Sequence, residues 1–536
     1  MGEAQDRAAT AAGEAVPATV FLGAAPGSEP AMAALRDHLR ARGLRVWPPA
    51  SDGGRGGTPA IQRAVAAADV ALLYLSPEAL ASDSPAAAAL PAAVQRADRD
   101  PDFDLLPIFD RVTTQEVEAF CRAQGLPSLA AFPVLTMGPT SLNPKSKIQN
   151  PKSELPPGTG AAILGGIARR ALEAALTGRW RRVGAGRHYE PHLCLRTVAY
   201  TPPWPSLDLD LDWTELVPAE AGPGDAWDTM LLPALADVKD ALSAQVPSRS
   251  LHLDAQGQLP AALACGFALP MAARFTLTVA SRDGTWGLAP PAPGPPPLIL
   301  AHAAGPGDAQ VAVVELAVTR DTARGTTDYC RAHALAYGRH LRFTPPEGPG
   351  DDAVRDAGHA AAMAQQVGQE LKKLSDGGVR HIHLFAALPA ALAVLLGRRL
   401  TALAPVTVYD FLKDEQRYRR ACTLGPAARG GGVSPLTEVP LSLTPVMRKE
   451  LEEALLSACP NEGDLRRVAL YGLDANLEVI AGGANLRERV FNLLEWAEAR
   501  GKLDTLVAAA LVENASNAKL LNWQERYQRG ATADPP

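Results

Sequence analysis

Few side chains in this chain stand where they can do chemistry, and most of them lie at the ends of short apolar runs. Val311–Val318, His381–Phe385 and Val406–Phe411 read as strands. Thr319 and Arg320 follow the first, Phe385 and Pro389 close the second, and Tyr409, Lys413 and Arg417 end and follow the third. In open α/β sheets ligands lie beyond the carboxyl ends of strands, near helix N-termini whose free N–H groups favour anions. There Arg320, Lys413 and Arg417 can meet phosphates, and Phe385 or Tyr409 can stack on a base. The plainer alternative is solvated arginines and core aromatics. His381 and His383 share one strand face, as a metal pair requires. No acidic or cysteine partner is near in sequence, so the pair reads as structural and no metal is expected. Glu78 and Asp83 follow a further strand, Val70–Leu75, where each also reads as a helix-start carboxylate. The chain has no GxxxxGK[ST], HExxH or GxSxG stretch, and His359 and Ser375 lack the partners of a nucleophilic site.

The elements that must position these residues alternate. Thr19–Leu22 is a short apolar strand, and the helix after it puts Met32, Leu35 and Leu39 on one face and ends at Gly43. Leu44–Trp47, a loop Pro48–Thr58, a helix through Ile61 and Val65, and the strands Val70–Leu75 and Leu105–Phe109 continue the pattern. Such alternation predicts a parallel, doubly wound sheet. Residues 139–160 hold a tandem repeat, Asn143-Pro144-Lys145-Ser146 and Asn150-Pro151-Lys152-Ser153, whose composition cannot build a core and reads as a flexible linker. A helix over Ala161–Leu176 opens a mixed α/β region with a Pro-rich excursion at Pro290–Pro297. A glycine run, Gly430–Gly432, marks a second linker, and from Thr444 the chain turns helical, with Met447, Leu451 and Leu455 at 3.6-residue spacing. The domains expected are thus 16–138, a linker 139–160, 161–425, a linker 426–443, and 444–530.

At 536 residues the chain has room for about three domains, each with its own core. A hydrophobic fraction of 47% and a charged fraction of 21% suit soluble globular protein, and 46 glycines with 47 prolines suit a GC-rich genome. No apolar run reaches the roughly 18 residues of a membrane span, and Met1–Arg7 opens no secretory signal. Six scattered cysteines without a CxxC pair predict reduced thiols and a cytoplasmic protein. A net charge of −6 argues against a general nucleic-acid binder.

Three resemblances add to this reading. In the first region the words GLRVW, a Gly-rich loop, a helix ending ADV, and ALLYLSPEALAS resemble a bacterial Toll/interleukin-1 receptor (TIR) domain, which implies a flavodoxin-like sheet. Leu209–Trp213, His252–Asp254, Ala261–Pro270, Phe275–Trp286 and His381–Pro389, in that order, resemble a SAVED domain. That resemblance implies two fused Rossmann-like halves, related to CARF domains, with a cyclic oligonucleotide bound between them. MRKELEEALLSACP, ERVFNLLEWAEARGKLDTLVAAA and ENASNAKL resemble an effector-associated domain, a small helical bundle that recruits partners through like-with-like contacts.

The resemblances imply a bacterial antiphage protein, CBASS- or CRISPR-linked, and leave two mechanisms open. TIR domains that cleave NAD use a glutamate on the helix after the SP…S stretch, a carboxylate able to stabilise an oxocarbenium-like centre. Here that position is Ala89, in the run Ala86–Leu90, so Glu78 and Asp83 remain as substitutes. The first mechanism is a sensor-adaptor: a cyclic di-, tri- or tetranucleotide binds, the protein forms a homo-oligomer, and an effector with a similar C-terminal helical domain is recruited. The alternative is a ligand-activated NAD hydrolase, for which NAD is the substrate.

Overall fold

A computed structural model of the chain describes residues 17–24, 28–47, 58–80, 84–129, 132–136, 159–183, 190–201, 207–217, 226–246, 249–282, 284–287, 290–291 and 294–425, then 445–469 and parts of 477–523. Asp83, nearly all of the expected linker 139–160 and all of the linker 426–443 fall outside the described residues. The chain divides into two compact units, residues 1–430 and 431–536, and each is described by itself.

The first unit begins with β1 (Thr19–Gly23), α1 (Glu29–Ala41), β2 (Arg45–Trp47), α2 (Thr58–Ala67), β3 (Val70–Leu75), α3 (Pro77–Leu80), α4 (Pro85–Arg99), β4 (Asp104–Phe109), α5 (Thr114–Ala123) and β5 (Leu135–Thr136). Its five strands are all parallel, in the order β2-β1-β3-β4-β5, the doubly wound order that the alternation predicts. Strand period decides which side chain faces which layer. Phe21, Ala71, Leu73 and Leu75 face α2, α4 and α5, while Val20, Leu22, Leu72 and Ile108 face α1 and a long helix, α6 (Thr159–Val183). Ser84 starts α4 by accepting the Ala87 N–H at 3.1 Å, with Pro85 at the first helical position.

Beyond α6 come two further sheets. The first holds β6 (His192–Arg196), β7 (Leu209–Asp212), a π-helical turn leading into α7 (Leu232–Gln245), β8 (Ser250–Gln256), α8 (Leu259–Ala268), β9 (Thr276–Ser281) and β10 (Gly284–Trp286), in strand order β10-β9-β8-β6-β7. The second holds β11 (Ile299–Ala304), β12 (Val311–Ala317), α9 (Ala323–Ala332), β13 (Arg339–Thr344), α10 (Ala357–Asp376), β14 (His381–Ala387), α11 (Ala390–Gly397), β15 (Val406–Leu412) and β16 (Arg417–Leu424), in strand order β11-β13-β12-β14-β15-β16. Each sheet has four parallel strands in the same relative order, β7-β6-β8-β9 and β13-β12-β14-β15, so the two are Rossmann-like halves. Equivalent helices follow the equivalent strands β8 and β14. Their texts repeat: Leu259–Ala264 reads LPAALA, as does Leu388–Ala393.

Those two helices, α8 and α11, join the halves. A Cβ on Gly266 would stand 2.1 Å from the Val394 carbonyl oxygen, and one on Gly397 would stand 2.2 Å from that of Leu263. Only glycine allows the backbones to approach this closely. Arg398, 1% exposed, completes the joint by donating from Nε to the Leu269 carbonyl at 2.9 Å and from a terminal nitrogen to that of Phe275 at 2.6 Å. It thereby places a cation on the carboxyl end of α8, where the helix dipole favours one.

The second unit contains α12 (Pro445–Ala458), α13 (Glu462–Arg467) and α14 (Leu486–Ala499), closed around their own core of Leu451, Leu455, Val490, Leu493 and Trp523. Asn461 caps α13 by accepting the Asp464 N–H at 3.0 Å.

Candidate functional site

The carboxyl end of the β11–β16 sheet is built on one buried carboxylate. Glu315 of β12, 1% exposed, accepts from Thr322 Oγ1 at 2.6 Å, lies 2.7 Å from His340 Nε2, and has the Arg342 guanidinium at 3.6 Å. Burial pushes this carboxyl up, but the His340 and Thr322 hydrogen bonds and the Arg342 charge outweigh it and hold it below the ordinary glutamate value. Arg342 also reaches Asp321 at 2.8 Å, and the Ala323 N–H donates to Asp321 at 2.8 Å, which starts α9. The loop after β12 is thus fixed from below. Thr319, half-buried, is tied by its N–H to the Ala387 carbonyl at 2.9 Å, knitting the tips of β12 and β14 together.

Above that base the cations stand in solvent. Arg320 and Lys413 are exposed, Arg417 is exposed and paired with Glu415, and the Arg324 side chain is 98% exposed. The first turn of α9 lies against the β15–β16 hairpin, since a Cβ on Gly325 would sit 3.0 Å from the Tyr418 ring and 3.4 Å from that of Phe411. The loop carrying Arg320 and the first turn of α9, which carries Arg324, therefore neighbour the hairpin carrying Lys413 and Arg417. Pro389 is the half-buried N-cap residue of α11 at the same end.

Two expected base platforms are corrected. Phe385 is 0% and Tyr409 2% exposed, and their rings stack on each other at 4.2 Å and 9° in a cluster with Tyr418 and Cys330. Neither presents a face to a ligand, because both side chains point from their strands into the layer that α9 covers. His381 and His383 belong to the same layer. Their rings are 4.6 Å apart, His381 Nε2 lies 2.9 Å from Thr407 Oγ1, and His383 Nδ1 lies 2.7 Å from the Tyr409 hydroxyl. Burial, with His381 and Arg420 nearby, pushes His383 down to about 3. Among the described residues no group of three or more His, Cys, Asp or Glu side chains is placed to hold a metal.

At the carboxyl end of the first sheet, Ala89 is 0% exposed and faces the core with Ala86, Leu90 and Ala93. The first three turns of α4, from Pro85 to Arg96, contain no carboxylate on any face, so a shift of alignment register supplies none. Glu78 is exposed and pairs with Arg111 at 3.0 Å. Arg111, in the left-handed region at φ 56°, also meets Asp110 at 3.2 Å, and Asp110 accepts from the Tyr74 hydroxyl at 2.6 Å. Asp110 is a carboxylate that sequence reasoning missed.

Residues 233–424 match the family described as the SMODS-associated and fused to various effectors sensor domain, SAVED. The chain carries a SAVED sensor domain. Residues 441–528 match effector-associated domain 1, so the second unit carries that module. A curated relative, CD-NTase-associated protein 4 of Enterobacter hormaechei subsp. hoffmannii (strain UCI 50), is 30% identical over 137 residues, 26% of this chain. The chain spans 27% of that relative's length. Similar solved structures include the Acinetobacter baumannii Cap4 SAVED/CARF-domain containing receptor with the cyclic trinucleotide 3'3'3'-cAAA, at 14% identity and a TM-score of 0.38 over 60% of this chain and 81% of that one. The Moraxella osloensis Cap4 receptor is similar at 11% identity and a TM-score of 0.35, over 66% and 86%.

Just upstream of the SAVED match lies a second polar constellation that sequence reasoning did not assemble. Arg196, ending β6, binds Asp210 through two nitrogens, each at 3.0 Å, and Asp212 at 2.8 Å. Arg40 of α1 shares Asp212 at 3.3 Å and reaches Glu215 at 2.6 Å. The alternation Leu209-Asp210-Leu211-Asp212 was the available signal, since period two puts both carboxylates on one face. Trp213, next in line, is 0% exposed and donates its indole N–H to the Ala41 carbonyl at 3.1 Å, on the carboxyl end of α1.

Proposed function

We propose that this protein senses a cyclic oligonucleotide in defence against phage and acts as a sensor-adaptor. The observation that carries the reading is the SAVED match, a family described as a sensor domain fused to effectors. Arg320 and Lys413, exposed at the strand ends, support an anionic ligand there, where helix N-termini add favourable dipoles, while Arg324 and Arg417 stand beside Asp328 and Glu415. Ligand binding drives homo-oligomerisation, and the effector-associated domain recruits an effector bearing a similar module. The N-terminal doubly wound domain, TIR-like in its wording, serves assembly rather than NAD cleavage, because its α4 offers no carboxylate in its first three turns.

The test offers the purified chain a panel of cyclic di-, tri- and tetranucleotides while mass and NAD turnover are followed together. One ligand is expected to bind and raise the mass without turnover. Arg320→Glu combined with Lys413→Glu is expected to weaken binding by at least about tenfold, or about 1.4 kcal/mol. Failure of every ligand to bind sinks the sensor reading, and NAD turnover on binding sinks the adaptor reading.

A further inference from the structure

Among the described residues three sheets give the first unit six edges, and five of them are guarded. Among the described residues, strands β2 and β10 have three residues each and β5 has two, too short to template a partner. The β7 edge is already occupied by backbone of the N-terminal domain: the Ala18 N–H donates to the Asp208 carbonyl at 2.9 Å, and the Asp210 N–H to that of Gly43 at 3.0 Å. The β16 edge carries Arg417, Arg419 and Arg420, and its pairing with β15 shifts register at Val408/Tyr409. Charges and irregular pairing are the devices that keep an edge from recruiting strands.

Strand β11 has neither. Its six residues, Ile299-Leu300-Ala301-His302-Ala303-Ala304, include no Asp, Glu, Lys, Arg or Pro, and pair with β13 in unbroken antiparallel register. All but Leu300 are exposed, Ile299 by 53%. Every second residue of such an edge turns its N–H and C=O outward. A groove of ≈ 310 Å³ lies beside it, lined by Leu341 and Leu374 with His302, Arg339 and the Lys373–Glu370 pair at its rim, so an added strand has apolar surface to cover as well.

We propose that β11 is a self-association edge, pairing antiparallel with β11 of a second copy of this chain. Charge selects that occupant. A neutral strand meets its own copy without opposing like charges, whereas β16 against β16 would set arginines against arginines. Antiparallel pairing about a two-fold axis also closes after two copies and leaves no new edge at the joint. The contact is small: one strand of six residues a side, against the roughly 20–30 residues a side of a stable interface. It therefore forms a weak dimer that protein concentration populates. The inference does not depend on the ligand reading.

Sedimentation equilibrium of the full chain over a concentration series tests it without any ligand. The mass is expected to rise from one copy toward two, and Ala301→Lys or Ala303→Lys to weaken the association by at least about tenfold. Both positions are exposed, so the variants are expected to keep the wild-type melting temperature. Side chains opposite each other must share a face, so in the two registers that pair the most residues of β11, residue 301 or residue 302 lies on the two-fold axis. Of Ala301→Cys and His302→Cys, one is expected to give a disulfide-linked dimer on mild oxidation, against a low background because the six native cysteines are buried. A single-copy mass at every concentration overturns the proposal. So does an association that the lysines leave unmoved, or one in which neither cysteine cross-links.

Discussion

His383 and His38 are held neutral by their surroundings, and that makes them acid-sensitive points of the fold. Burial lowers His383 to about 3, with help from His381 and Arg420, and lowers His38 to about 4, with help from Arg42. In the unfolded chain both take up a proton near 6.5. Below that pH the unfolded state binds more protons than the native one, so stability falls as pH falls, until each folded pKa is reached. The slope approaches about 1.4 kcal/mol per pH unit for each group. Urea unfolding between pH 7 and 4 is expected to show this decline, and His383→Gln to flatten it; an unchanged slope in the variant would refute the assignment. The same layer explains why the base platforms were misjudged. A strand-end aromatic announces its position along the strand, but which layer it enters depends on the helix that crosses that face. Exposure of Arg320, Lys413 and Arg417 needed no such knowledge, because charged side chains beyond a strand end seldom find a buried partner.

Short apolar runs such as Val70–Leu75 were legible as elements because β-branched and leucine runs bounded by polar residues have one economical reading. Their pairing across the molecule was not. The LPAALA repeat gains meaning only when β8 and β14 are seen at equivalent places in two sheets, with α8 and α11 crossing at glycine. That crossing makes a prediction opposite to helix propensity. Alanine is favoured over glycine by about 1 kcal/mol in a helix interior, yet the Cβ of Gly397→Ala would meet the Leu263 oxygen at 2.2 Å. Overpacking of this kind costs about 1–3 kcal/mol, so Gly397→Ala is expected to destabilise. Gly166→Ala in α6 is the internal control: nothing lies within 4 Å of its Cβ, and it is expected to stabilise by about 0.5–1 kcal/mol. Chemical denaturation of both variants reads the difference, and stabilisation by Gly397→Ala would show that the helices do not cross this closely.

At the scale of the first unit, the N-terminal domain is built into the sensor rather than tethered to it. One continuous core runs from Val20 and Leu72 through α1, α6 and α7 to both Rossmann-like halves. Polar contacts lock the same seam. Arg42, 2% exposed, donates to Asp237 of α7 at 2.9 and 2.6 Å and to the His38 carbonyl at 2.9 Å. Asp69 meets Arg179 at 3.2 Å and pairs with Arg182, both from α6. A domain held in this way cannot swing freely, and Asp212 adds a further tie across the seam by meeting both Arg196 of β6 and Arg40 of α1. Asp237→Asn tests the lock. It leaves the Arg42 guanidinium buried without its carboxylate, which costs about 3–5 kcal/mol, and because the core is shared the loss should fall on both sides of the seam. Native-state hydrogen exchange is the measurement, with amides of β1 and β3 followed beside those of β6 and β8. The expected result is a comparable loss of protection in all four strands. Loss confined to β1 and β3 would mean that the N-terminal sheet opens by itself, and that the continuous core does not couple it to the sensor.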